Sequence, residues 1–152
     1  MLEIGKYAII LVMKRKIYEQ LIEWKRREDG RSALLIDGAR RVGKSWVAEE
    51  FAKAEYRSYI LIDFSKASKE VKAVFEDELE DLDTLFLKLS TRYRVKLYER
   101  QTLFIFDEVQ RFPRAREAIK ALVADRRYDY LETGSLVSID ENVEGIDLAG
   151  LT

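Results

Sequence analysis

Two short stretches hold residues whose types and spacing suit phosphate chemistry. The first is Gly38-Ala39-Arg40-Arg41-Val42-Gly43-Lys44-Ser45, a G-x-x-x-x-G-K-S pattern that follows the apolar run Ala33-Leu34-Leu35-Ile36. Glycines at both ends let the backbone turn tightly, so that successive N–H groups point inward at a phosphate chain. A helix beginning near Lys44 adds its N-terminal amides and the positive end of its dipole. Lys44 would reach the β- and γ-phosphates, and the Ser45 hydroxyl would bind Mg²⁺. The nucleotide-binding set is therefore Gly38, Ala39, Arg40, Arg41, Val42, Gly43, Lys44, Ser45 and Trp46.

The second stretch is Leu103-Phe104-Ile105-Phe106-Asp107-Glu108. Four apolar residues predict a central strand whose C-terminal end lies beside the phosphate loop in a doubly wound sheet. Asp107 can then hold Mg²⁺, as a Walker B carboxylate does. Glu108, one residue further, can orient a water on the γ-phosphate or take its proton, which makes Lys44 and Glu108 the catalytic pair. A third element, Thr133-Gly134-Ser135, ends another predicted strand. A hydroxyl there would sense the γ-phosphate, and the sequence leaves Thr133 and Ser135 as equal candidates.

Elements able to position these groups are legible along the chain. Residues 14–28 read as an amphipathic helix, with Ile17, Leu21 and Trp24 on one stripe and Tyr18 and Ile22 beside it. Ala33–Ile36, Tyr59–Phe64, Leu103–Phe106 and Tyr128–Thr133 read as four strands, the first a short apolar run of the kind buried on both faces of a parallel sheet. Val47, Phe51 and Ala54 give a helix after the first strand. Residues 68–100 look helical throughout, and Pro113 precedes a helix over 114–124. The acidic cluster Glu76–Asp83 reads as a solvated face. The apolar run Tyr7–Met13 reads as an added strand or buried arm, and the tail from Asp140 shows no strong pattern. This alternation predicts an α/β domain with a parallel sheet sandwiched by helices. Its parts are an N-terminal extension or arm over 1–13, a nucleotide-binding domain over 14–139 and an acidic tail over 140–152.

Composition narrows the chemistry. The chain has 152 residues, with neither Cys nor His. Disulfides, thiolate catalysis, imidazole bases and most transition-metal sites are thereby excluded. Lys plus Arg (27) nearly cancels Asp plus Glu (28). Net charge therefore makes no case for nucleic acid, and the only local support is Lys14–Lys16 and the arginines from Arg111 to Arg116. The longest apolar run is too short to span a bilayer, and no signal peptide is evident, so the expected location is the cytoplasm.

With the three elements in order, the chain resembles the prokaryotic AAA-domain ATPases whose full-length members carry a C-terminal domain of uncharacterised function. The stretches "MKRKIYEQLIEWKRR", "ALLIDGARRVGKS", "YILIDFSKASKEV", "LFIFDEVQ" and "AIKALVADRRYDYLETGSLVSI" carry the resemblance. The double arginine Arg40-Arg41 is a mark of this group, placed in the outer turn of the loop. The resemblance implies a P-loop NTPase-like sheet of strand order 1-4-3-2. It also implies a further strand after Ile139, flanking the first, which is expected to be missing here and to leave an exposed edge unless the N-terminal arm or another chain covers it. Arg111, Arg114, Arg116, Arg126 and Arg127 are expected to be solvated helix charges rather than arginine fingers.

The expected function is ATP binding with Mg²⁺-dependent hydrolysis, coupled to an unknown partner, with a homo-oligomer or another protein as the candidates. ATP is favoured over GTP because no N-K-x-D appears and the strand-end Asp107 opens no D-x-x-G switch: Glu108-Val109-Gln110 follows it. The alternative is a nucleotide-gated protein- or DNA-binding module, including a truncated fragment, with negligible hydrolysis.

Overall fold

The computed structural model of the chain describes the backbone of residues 2–37, 43–134 and 143–147, and the side chains of residues 15–37 and 43–134. In chain order the elements are α1 (Leu2–Glu28), β1 (Ala33–Asp37), α2 (Lys44–Glu55), β2 (Ser58–Asp63), α3 (Lys69–Asp77) and α4 (Leu82–Tyr93). They continue with β3 (Thr102–Asp107), a 3-10 turn (Val109–Arg111), α5 (Pro113–Asp125), β4 (Asp129–Gly134) and β5 (Val143–Asp147).

The strands form one sheet in the order β2-β3-β4-β1-β5, and every neighbouring pair is parallel. The expected order 1-4-3-2 is present within it. The flanking strand expected to be missing is also present, because β5 pairs with β1 from Ala33↔Val143 to Asp37↔Asp147. In the sequence this strand is hidden by Gly145 and by the acidic residues Glu144 and Asp147, all disfavoured in strands.

Alternation along the strands divides the core into two halves. Ala33, Leu35, Ile60, Ile62, Phe104, Phe106 and Tyr130 face α3, α4 and α5. Leu34, Ile36, Leu103, Ile105 and Leu131 face α1 and α2, where they meet Ile17, Leu21, Trp24, Val47 and Phe51. Burial on both faces explains why β1 and β3 carry continuous apolar runs rather than alternating ones. The first layer is aromatic: Phe64, Phe75 and Phe106 meet edge to face at centroid distances of 5.4–5.6 Å.

Helix signals account for the boundaries. Ser68 caps α3 by accepting from the Val71 amide at 3.2 Å, Asp81 caps α4 through Thr84 N–H at 3.2 Å, and Pro113 opens α5. The capping Asp81 divides the helical stretch expected over 68–100 into α3 and α4, and α4 ends at Arg94 in a left-handed conformation. Of the two expectations for Tyr7–Met13, the added strand is overturned, because the segment lies in the first half of the continuous helix α1. The acidic cluster is largely exposed as expected, with Lys88 bonded to Glu78 at 2.7 Å.

Candidate active site

Because the strands are parallel, their C-terminal ends share one edge of the sheet. Asp63 pairs with Asp107, Phe106 with Glu132, and Asp37 with Gly134. Residues far apart in sequence are thus brought within hydrogen-bond reach at that edge, where open α/β sheets hold their ligands.

Residues 38–42, with Gly38, Ala39, Arg40, Arg41 and Val42 of the glycine loop, lie outside the described residues, as does Ser135. Description resumes at Gly43, which precedes α2 with φ 75° and ψ 30° and provides no side-chain cap. This left-handed backbone is where glycine is required. The first amides of α2 are left without a capping side chain, the arrangement that favours an anion at a helix N-terminus. Lys44 is buried and Trp46 is half exposed, at 4% and 53% relative accessibility.

Asp107 is the centre of the described cluster. Ser45 Oγ donates to its Oδ1 at 2.7 Å, and Thr133 Oγ1 donates to the same oxygen. Thr133 Oγ1 in turn accepts from the Glu108 backbone N–H at 3.2 Å. Strand alternation explains this: Asp107 continues the face of Leu103 and Ile105, Thr133 that of Leu131, and both look toward α2. Both acid and hydroxyl are nearly removed from solvent, at 7% and 0% relative accessibility. Of the two sensor candidates, Thr133 is the one seen to join the cluster.

The donor chemistry fits Mg²⁺. A hydroxyl has one proton and two lone pairs. With the Ser45 proton directed to Asp107, its lone pairs remain available to a hard cation, and the carboxylate is a hard oxygen ligand as well. Among the described residues no group of three or more acidic side chains forms a cage.

Glu108 leaves the strand with φ 54° and ψ 46°, a left-handed conformation at a non-glycine residue, of the kind found at functional turns. Its Oε2 accepts from Gln110 Nε2 at 2.7 Å. Sequence reasoning did not single out Gln110; its signal was its place two residues after the acidic pair.

Another missed residue is Glu132, fully buried on the opposite face of β4. Arg116 of α5 donates from Nη1 to its two oxygens at 3.2 and 3.0 Å. This corrects the expectation of a solvated Arg116, whose side chain is only 16% exposed. Arg127 departs from it as well: it is bonded to Asp125 and Asp83, and its guanidinium lies 4.8 Å from the centre of the Phe86 ring.

The fold and the strand-end cluster define an α/β domain of the P-loop type. A family model described as the AAA domain matches residues 30–150, and the chain belongs to that family. No curated protein matches it in sequence. Among solved structures, a chain of the Drosophila ORC structure bound to AT-rich DNA and Cdc6 superposes with a TM-score of 0.60 at 12% identity. The match covers 96% of this chain and 57% of that one. A chain from a Drosophila ORC–DNA structure gives 0.57 at 12% identity, covering 93% and 92%. The protein thus spans little more than half the length of the first of these relatives. Among the described residues no helix is long and apolar enough to cross a membrane.

Proposed function

We propose that this protein binds ATP and hydrolyses it with Mg²⁺. The observation that carries the reading is the convergence of Ser45, Asp107 and Thr133 on a single carboxylate oxygen at the strand ends, with Glu108 anchored beside them. Membership of the AAA-domain family supports a nucleotide-binding, ATPase-like role.

In this reading the loop from Gly38 to Ser45 wraps the phosphates, Lys44 meets the terminal phosphates, and Trp46 lies near the bound nucleotide. Ser45 and Asp107 hold Mg²⁺. When bound, the ion neutralises charge that develops on the phosphate oxygens. Thr133 fixes Asp107 and the start of the turn at Glu108, so a change at the phosphate end is felt at the base. Glu108 orients the attacking water and receives its proton. Arg116 and Arg127 are committed to carboxylates within the domain. Neither is thereby an arginine finger, and where a second subunit supplies one, turnover should rise with protein concentration.

The deciding experiment is Glu108→Gln, assayed for phosphate release at several protein concentrations with nucleotide affinity measured in parallel. Retained affinity with turnover reduced a hundredfold or more supports hydrolysis. Equal turnover in both proteins leaves a nucleotide-gated binding module, the role for which DNA, the ligand in the two ORC structures, is the first partner to test.

A further inference from the structure

Gln110 lies in the 3-10 turn that leads away from the strand carrying Asp107. Its Nε2 donates to Glu108 Oε2 at 2.7 Å. A carboxylate demands a donor, and this fixes which way the amide faces. The carbonyl Oε1 is consequently turned to β4, where it is buried without a hydrogen-bond partner among the described residues. It rests on Gly134: a Cβ built there would stand 2.3 Å from Oε1. Gly134 has no positive φ to require glycine. What requires glycine at the end of β4 is the Gln110 amide.

We infer that Gln110 is a positioning residue for Glu108, wedged between that carboxylate and Gly134 so that the end of β4 sets the direction of the catalytic base. This rests on the hydrolytic reading above and names a part of the site that reading does not use. A carboxylate on a left-handed turn has several rotamers open to it. One hydrogen bond from a side chain pinned on its far side selects among them. Holding the orphan carbonyl there costs free energy, the kind of local cost that collects at functional sites. The same contact gives Thr133 and Glu108 a second connection, through Gly134, in addition to the bond from the Glu108 amide.

The test uses the full chain with Mg²⁺ and ATP. Gln110→Ala should lower kcat by roughly ten- to a hundredfold, the scale of a misplaced catalytic group, with KM and nucleotide affinity within about twofold. Gly134→Ala should do the same without touching Glu108, because the added methyl displaces the end of a flexible side chain rather than backbone. Combining the two should cost no more than either alone, and Gln110→Ala should change nothing further in a Glu108→Gln background. Thermal unfolding checks folding, and the isosteric Gln110→Glu, which replaces the donor by an acceptor, carries the test if the alanine variant unfolds. The inference is overturned if Gln110→Ala or Gln110→Glu turns over like wild type. It is equally overturned if the Gln110→Ala loss persists undiminished in the Glu108→Gln background. Equal turnover by wild type and Glu108→Gln instead sinks the hydrolytic reading, and this inference with it.

Discussion

Arg116 and Glu132 offer the sharpest quantitative test of how β4 is held. Glu132 has no exposed surface, sits in register between Leu35 and Phe106, and receives two hydrogen bonds from one guanidinium nitrogen. Replacing Arg116 with Met keeps the length and apolar stem but removes a guanidinium that bonds both oxygens of a buried carboxylate. Breaking such a pair from one side costs about 3–5 kcal/mol. For a domain of this size that lowers Tm by roughly 10 °C, and the urea midpoint by about 2 M. Chemical denaturation of Arg116→Met, of Glu132→Leu and of the double variant forms the cycle. The double variant should recover at least half of the loss, because two apolar residues in place of a buried pair are often neutral or stabilising. A cost below about 1 kcal/mol for Arg116→Met would put the pair in the range of a surface salt bridge and refute the reasoning.

Two further outcomes are expected. Tyr56 and Tyr130 are both held above the ordinary tyrosine value of 10.0, foremost by burial and next by the neighbouring Asp129 and Asp125 respectively. The unfolded chain ionises these phenols above that value and the folded chain resists, so the stability they contribute is intact below it and declines as pH rises past it. The decline is about 1.4 kcal/mol per pH unit for each, and denaturation across the alkaline range should show each Phe variant removing one such increment. Nucleotide should change the emission of the half-exposed Trp46 and leave the buried Trp24 unaffected, so Trp46→Phe should abolish the fluorescence response; a response that survives removes Trp46 from the nucleotide's surroundings.

The parts of the fold legible in sequence were those in which local pattern and tertiary burial agree. Ala33–Ile36 and Leu103–Phe106 are short, apolar and flanked by turn or acidic residues, and only a doubly covered strand suits them. Tyr7–Met13 failed because β-branched and aromatic residues favour a strand when seen alone, whereas continuity with Lys14–Glu28 makes them helix. Val143–Asp147 failed for the opposite reason: its pairing with β1 outweighs poor intrinsic propensity. In the site, the meeting of Ser45 with Asp107 was legible because both motifs fall at one edge of a parallel sheet. Thr133 could not be separated from Ser135, since the choice depends on which hydroxyl faces Asp107 across the sheet. Arg116 and Gln110 were invisible because their partners, Glu132 and Gly134, lie 16 and 24 residues further along and meet them only once β4 is in place.

The position of β5 bears on how the cluster keeps its geometry. Without it, β1 would be an edge strand, with one ladder of backbone groups open to solvent or to pairing with another chain. With it, β1 is paired on both sides from Leu34 to Asp37, to β4 and to β5. Edge elements open locally more readily than interior ones, so the glycine loop leaves from a strand that frays little. β3 and β4 are interior as well. The strands bearing the glycine loop, Asp107 and Thr133 are therefore the three that have a neighbour on each side. The two edges fall to β2 and β5, neither of which contributes to the cluster. Local opening at either edge can then proceed without separating Ser45, Asp107 and Thr133, and a chain of hydrogen bonds between hydroxyls and one carboxylate oxygen depends on that rigidity.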